Sequence, residues 1–518
     1  MTEEAGRIQI YDTTLRDGAQ TDGVLFSSED KLDILRRLDS FGMDFVEGGW
    51  PGSNPRDDEF FTRAAELELA HTKLVAFGST RRSANRPSDD PNLVALAGCP
   101  AEWCCIFGKA WDFQVTDALN IDLDRNLDMI EDSVRFLVES GKHVMFDAEH
   151  FFDGYRSNSR YAINALRAAE SGGAEYLILC DTNGGSLPSE ISEAVGEVLL
   201  SVGTPLGIHC HNDSGLATAN TLAAVESGCT MVQGTVNGLG ERCGNADLCS
   251  VIPNLVFKMG YDTDASLEDL TPLSRFVGEI ANMPAPPGTP FVGERAFAHK
   301  GGIHVSALAR DSRTYEHIEP GSVGNVRRIL ISEMAGNASV SEKLRELGMD
   351  IGDDSPDITN IIKRMEAEGY QFEGADASFE LIVRRLRGEI EPMFEVPGFR
   401  IYIDQHSADG MDSEASVKVR DREGNVEHTA ADGNGPVNAL DNALRKALLR
   451  FYPKLGDIRL TDYKVRVLDG KSATASTVRV LIRSSDGVDS WTTVGVSDNV
   501  IEASLIALVD SIEYALIR

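Results

Sequence analysis

A (β/α)₈ barrel, a helical connector and a C-terminal α+β domain form the α/β architecture that the sequence predicts. Three observations lead to it. Eight short apolar runs alternate with amphipathic stretches over about the first 260 residues, the count and length of such a barrel. A proline cluster at 284–290, PAPPGTP, then interrupts any helix or central strand. Beyond residue 396 the pattern turns to strands interleaved with two amphipathic helices.

Taken in order, the first four strand runs are RIQIYD near residue 10, DFVEGGW near 46, KLVAFGS near 76 and WCCIFGK near 105. HVMFDAEHF near 147, YLILCDTNG near 179, PLGIHCHND near 209 and MVQGTVNG near 235 complete the eight. They are continuously apolar rather than alternating, which indicates a parallel sheet covered on both faces. Between them, EDKLDILRRLDSFG and RNLDMIEDSVRFLVESG repeat apolar residues every three and four positions, as amphipathic helices do. An open doubly wound sheet is the alternative. Residues 284–395 read as helical pieces, two small subdomains or one loose connector, with an acidic interruption, DIGDDSPD, from Asp350. From 396 to 518 the strand runs are FRIYID, ASVKVRD, YKVRVLDG and TVRVLIRS. VNALDNALRKALLRF and VIEASLIALVDSIEYAL each follow a glycine-containing turn, which suggests an internal duplication. The expected domains are therefore 1–283, 284–395 and 396–518.

The 518 residues carry 49 Lys plus Arg against 82 Asp plus Glu, a net charge of −33. So acidic a chain lacks the basic surface that nucleic acid or an anionic membrane would need, but a few local cations suffice for an anionic small molecule. MTEEAGRIQIY does not read as a signal peptide, and no apolar run approaches the roughly 20 residues of a membrane span. Eight cysteines without a C-x-x-C pair fit reduced thiols in the cytoplasm.

Chemistry concentrates at the strand ends, where barrel enzymes build their sites. In GIHCHND, His209 and His211 are two apart and share a strand face, as a divalent metal site requires. The first strand ends in DTTLRD, where Asp17 offers a carboxylate and Arg16 a cation for a substrate carboxylate or an oxyanion. Strand 8 leads into NGLGERCGN, with Glu241 and Asn245 on the same rim, and its glycine spacing does not match a dinucleotide fingerprint. Strand 5 ends in Asp147, Glu149 and His150, and strand 6 in Asp181, Thr182 and Asn183. Polar groups at five corresponding ends are hard to assign to packing. A loop-fixing Arg–Asp pair and a helix-start histidine at 304 are the bland alternatives for single residues.

DTTLRDGAQ, GIHCHND, GTVNGLGERCGNADL and AHKGGIH together resemble the α-isopropylmalate, homocitrate and citramalate synthase family, metal-dependent barrel enzymes. GNGPVNALDNAL and VGVSDNVIEASLIALVD are similar to the C-terminal regulatory domain of the isopropylmalate synthases, so the likeness covers nearly the whole chain. EGGWPGSNPRD at 47–57 resembles the citramalate branch. The resemblance implies that Asp17, His209, His211 and Asn245 surround a divalent metal. Mg²⁺ or Mn²⁺ is expected, with Zn²⁺ or Co²⁺ as alternatives. It places Arg16 on the keto oxygen and Gln20, Glu47, Glu149 and Thr182 around a 2-keto acid. His304, assisted by Tyr315 across a dimer interface, would enolise acetyl-CoA, and Glu149 would orient the base or the hydrolytic water. The loop before His304 reads Lys-Gly-Gly where many relatives carry a serine-containing turn.

The implied reaction condenses acetyl-CoA with pyruvate to citramalate, for isoleucine biosynthesis. 2-Oxoisovalerate or 2-oxoglutarate is the alternative keto acid. A metal-dependent carbon–carbon lyase acting on a hydroxyacyl-CoA is a rival of another class, but such lyases carry a Gly-Gly-Cys-Pro-like loop in place of GLGERCGN and generally lack the C-terminal domain. A non-catalytic effector-binding protein is disfavoured by the intact Arg16, Asp17, His209, His211 and His304. The C-terminal domain implies feedback by isoleucine, or by leucine for an isopropylmalate synthase, with simple dimerisation as the alternative. A homodimer is expected in either case.

Overall fold

The computed structural model describes residues 6–300, 302–308, 310–329, 343–345, 347–349, 355–372, 374–406, 410–468, 476–487 and 489–518. Eight parallel strands close into a barrel: β1 (Gln9–Asp12), β2 (Phe45–Gly49), β3 (Lys73–Ser79), β4 (Trp103–Lys109), β5 (His143–Glu149), β6 (Tyr176–Asp181), β7 (Leu206–Cys210) and β8 (Met231–Gly234). Closure is made by β1, which pairs Tyr11 with Phe45 on one side and Gln9 with Met231 on the other. All eight lie where the apolar runs predict them.

The reason for those continuous runs is visible in the packing. Tyr11, Phe45, Val75, Trp103, Cys105, Met145, Ile178 and Met231 fill the barrel interior. Their chain neighbours, including Ile10, Val46, Ala76, Cys104, Phe146, Leu177 and Val232, face the surrounding helices. The strands are thus buried on both faces and mostly apolar on both, and their period of two is hidden. The helices start on local signals. In α1 (Ser28–Phe41), Ser27 and Asp30 form a reciprocal capping box, and Gly42 ends the helix at φ 93°.

Two compact units are present. The first comprises the described residues up to Phe297 together with Ile318–Val326; the second takes Ala298–His317 and the described residues from Arg327 onward. In the first unit, Thr271 donates to the Val323 carbonyl at 2.7 Å, so the returning segment is stitched to the barrel's last helix.

The second unit begins with a short parallel pair, β9 (Ala298–His299) and β10 (Arg328–Ile329), and a short helix at Gly302–Leu308. Helices at Ser355–Ala367 and Asp376–Leu386 follow, and residues 350–354 of the acidic interruption lie outside the described residues. Its main body is two three-stranded antiparallel sheets. The first, β11 (Phe394–His406), β12 (Gly410–Asp421) and β13 (Val426–Gly433), leads into the helix Pro436–Phe451. The second, β14 (Arg459–Val467), β15 (Val478–Ser485) and β16 (Ser490–Ser497), leads into the helix Val500–Ile517. Val417, Leu444, Val480, Ile482, Ala507 and Ile512 draw both halves into one core.

The duplication extends to a detail of packing. A Cβ at Gly433, closing β13, would stand 2.3 Å from the Ala439 nitrogen, and one at Gly495, in β16, 2.0 Å from the Ala503 carbonyl oxygen. In each half a glycine lets the third strand touch the following helix. In the two C-terminal sheets β13 and β16 are the strands that the sequence does not predict, and the short pair β9 and β10 falls where only helical pieces are expected. VEHTAADG is half exposed throughout, and SWTTVGVS is interrupted by that glycine, so neither shows an apolar strand signature. The helix Asp376–Leu386 docks on the second half, where Ser378 accepts from the Val494 N–H at 3.0 Å and Arg385 pairs with Asp510 and Glu513. Among the described residues no helix is long and apolar enough to cross a membrane.

Candidate active site

His209 and His211 emerge from the C-terminal end of β7, and the β1 end brings Asp17 beside them. One ligand atom of each lies within 4.8 Å of the others, all three side chains being buried. His209 Nε2 is 3.3 Å from His211 Nε2 and 3.6 Å from Asp17 Oδ2. Burial would raise the Asp17 carboxyl, but the Arg16 guanidinium and the two imidazoles hold it down at about 2. Burial lowers His209, and burial with the neighbouring His209 takes His211 to about 4. At neutral pH the three therefore present a carboxylate and two neutral imidazoles, the protonation states a divalent cation needs.

Asn245 joins them through the loop after β8, where it pairs with His211 as an isolated bridge and donates its N–H to the Gly238 carbonyl at 3.2 Å. That turn requires glycine at 244, with φ 86° and a hypothetical Cβ only 1.9 Å from the Gly238 oxygen. Asp17 Oδ1 and Asn245 Oδ1 are buried acceptors without a hydrogen-bond partner. A cation between them would satisfy both, so these residues fit a divalent metal.

Beside the cluster, Arg16 donates through Nε to Glu47 and through Nη1 to Asp17 at 3.1 Å, and its guanidinium lies 3.8 Å from the Phe77 ring centre. Burial opposes its charge, but Glu47 and Asp17 outweigh that and raise its pKa further. Glu47 itself is wholly buried and also accepts from Tyr11 Oη at 2.5 Å and Thr13 Oγ1 at 2.7 Å. It props Arg16 and is not among the residues lining the cavity, where it is expected from the sequence; its two oxygens accept from three donors.

The cavity, about 250 Å³, is lined by Arg16, Asp17, Gln20, Glu149, Thr182 and both histidines on its polar side. Trp50, Phe77 and Phe107 add an aromatic lining, with Trp50 edge-on to Phe77 at 5.6 Å and to Phe107 at 5.9 Å. The WPGSNPRD turn sets Trp50. Asp57 accepts its backbone N–H at 3.0 Å and pairs with buried Lys31 at 2.6 Å, while the indole N–H reaches Asn92 at 2.8 Å. Glu149 pairs with Lys109, and the Thr182 hydroxyl accepts the His150 N–H at 2.8 Å. Arg242, at φ 58°, ties three loops by donating to Asp213 at 2.9 Å and to the Thr182 carbonyl at 2.7 Å. Its place in GLGER was the only sequence signal for it, and no local pattern marks the aromatic lining.

His304 and Tyr315 belong to the second unit. Their rings stack at 3.9 Å between centres with 25° between planes, and both are exposed. The adjoining Glu316 is buried and fixed by Arg327 and by His299 Nε2 at 3.1 Å, which anchors the Tyr315 segment. Gly301, in the loop before His304, lies outside the described residues.

Three family models match in sequence: HMGL-like over residues 7–277, homocitrate synthase post-HMGL domain-like over 291–370, and the LeuA allosteric (dimerisation) domain over 373–516. The (R)-citramalate synthase of Aquifex aeolicus is 50% identical over 99% of this chain and 98% of its own. That of Geobacter sulfurreducens is 50% identical over 98% and 97%. A probable 2-isopropylmalate synthase of Methanopyrus kandleri is 33% identical over 97% of each chain.

Proposed function

The chain belongs to the HMGL-like family, in the branch of the citramalate, isopropylmalate and homocitrate synthases, and we infer from this that it condenses acetyl-CoA with pyruvate to give citramalate. The observation that carries the choice of keto acid is the 50% identity to (R)-citramalate synthases over nearly the whole of both chains, and the Trp50, Phe77 and Phe107 lining of the cavity agrees with a small side chain. With a keto acid held at Arg16, the bulk of Trp50 and Phe107 would favour a methyl group over a branched side chain. A panel of keto acids, read by release of the CoA thiol, tests this. Pyruvate is expected to exceed 2-oxoisovalerate by about 10²-fold in kcat/KM, since each added methylene costs about 1–3 kcal/mol in such a pocket. Phe107→Ala is expected to narrow the ratio; a native preference for 2-oxoisovalerate overturns the assignment.

A divalent cation held by Asp17, His209, His211 and Asn245 would supply Lewis-acid polarisation of the keto carbonyl. Mg²⁺ or Mn²⁺ suits the oxygen ligands, with Zn²⁺ or Co²⁺ as the alternatives. Gln20 and Thr182 hold the keto acid, and Arg16, aimed by Glu47, stabilises the alkoxide that develops on its carbonyl oxygen. Reached across the proposed dimer interface, His304, with Tyr315 stacked on it, removes a proton from the acetyl methyl group. The enolate carbon then bonds to the keto carbon, whose π electrons move to oxygen, and the alkoxide takes up a proton in place of the one that His304 removed. Glu149 orients the water that cleaves the citramalyl thioester, releasing CoA and citramalate.

Isoleucine, as end product, is the proposed effector, and the protein is proposed to act as a cytoplasmic homodimer. A cavity of about 640 Å³ at the Asn434–Asn438 turn, bordered by Asp441, Arg445 and Tyr463, supports an amino-acid site at a helix start. Titrating isoleucine and leucine into the assay checks it: isoleucine alone is expected to inhibit, and silence from both would leave this domain a role in dimerisation only.

A further inference from the structure

We infer that Gln233 is a positioning residue that fixes the tautomer of His209 and so keeps its Nε2 lone pair free for the cation; this rests on the metal reading of the Asp17–His209–His211 cluster. Gln233 lies on β8, side by side with His209 across the β7–β8 pairing, and is fully buried inside the barrel. His209 Nδ1 is 2.9 Å from Gln233 Oε1, and Gln233 Nε2 is 3.3 Å from Asp147 Oδ1.

Asp147 decides which way the amide faces. Its Oδ1 also receives the Cys105 thiol at 3.1 Å, so that oxygen is an acceptor for both neighbours. Where Asp147 accepts through Oδ1, as its ionised form does, the Gln233 NH₂ faces it, and Oε1 is left for His209. An amide oxygen has no proton to give, so the hydrogen in that contact is on Nδ1. A neutral imidazole carries one N–H, and its Nε2 is then a lone pair. Nε2 is also the atom that faces Asp17 and His211. The opposite tautomer would aim an N–H into the cation site and set two lone pairs against each other at 2.9 Å. The relay Cys105–Asp147–Gln233–His209 thus runs from the barrel interior to the ligand cluster, and each link constrains the next.

The neutral side chain at 233 matters as well. Glu47 and Asp147 are already buried beside the single guanidinium of Arg16. With Asp17 paired to the same guanidinium, a further carboxylate there would be the fourth and would have no cation of its own.

Two measurements on the full-length protein test the assignment. In metal-free wild-type protein with ¹⁵N-labelled histidine, the His209 signals, identified by their loss in His209→Asn, are expected to show a protonated Nδ1 and an unprotonated Nε2. The reverse pattern overturns the proposal, whether or not any variant folds. Gln233→Met keeps an unbranched side chain of similar length but cannot hydrogen-bond. Its Mn²⁺ dissociation constant, read by electron paramagnetic resonance on protein that circular dichroism shows to be folded, is expected to rise about 10–100-fold. Wild-type affinity in a folded Gln233→Met protein also overturns it. If wild-type protein bound no Mn²⁺ at all, the metal reading would fall, and the tautomer measurement would still decide the role of Gln233.

Discussion

Arg16→Gln is expected to lower kcat by about 10²–10³-fold, the usual cost of removing one donor from a developing oxyanion. The side chain is 14% exposed, stacked on Phe77 and fastened by Glu47 and Asp17, so its charge is delivered to the cavity with little freedom to reorganise. Glutamine can still donate a hydrogen bond but carries no charge. Arg16→Lys is expected to rescue little, because the guanidinium uses Nε and Nη1 in separate directions and an ammonium cannot span both. The substitution also strands Glu47, whose side chain has no exposure, and an uncompensated buried charge typically costs about 3–5 kcal/mol. Two losses are therefore superposed. The double variant Arg16→Gln/Glu47→Gln separates them: it is expected to regain much of the melting temperature and none of the turnover. Recovery of kcat in the double variant would make Arg16 a structural residue and remove it from the chemistry.

The same pair shows where a sequence stops being legible. Asp17, His209 and His211 could be read because period two along a strand and a position at a strand end are properties of the chain itself. Glu47 could be expected around the keto acid but not beneath Arg16, since that depends on Tyr11 and Thr13 reaching across from the β1 end to meet its oxygens. Gln233 and Phe107 carry no local mark at all. Each becomes significant only when barrel closure brings β8 against β7 and sets the end of β4 opposite Trp50. The barrel strands were readable because two buried faces make unbroken apolar runs. β13 and β16 were not, because half exposure in one and a packing glycine in the other erase the pattern.

Removing the divalent ion is expected to have the largest effect on turnover. Lewis-acid stabilisation is worth several kcal/mol, and three tenfold steps need only about 4 kcal/mol, so kcat should fall by about 10³-fold or more. The geometry adds a stability signature. Without a cation, Asp17 Oδ1 and Asn245 Oδ1 are buried and unpartnered, a cost that an ion relieves only in the folded chain. An ion at about 100 times its dissociation constant should therefore stabilise the protein by about 2.7 kcal/mol, seen as a raised melting temperature. Asp17→Asn is expected to abolish both responses, because it removes the one carboxylate of the cluster while leaving its shape. Adding Mg²⁺, Mn²⁺, Co²⁺ and Zn²⁺ singly to chelated protein then ranks the ions by two independent readouts. Full turnover in protein verified as metal-free, or a melting temperature indifferent to all four, would refute the metal assignment. Activity restored by an ion without any thermal shift would place the binding site somewhere other than Asp17, His209, His211 and Asn245.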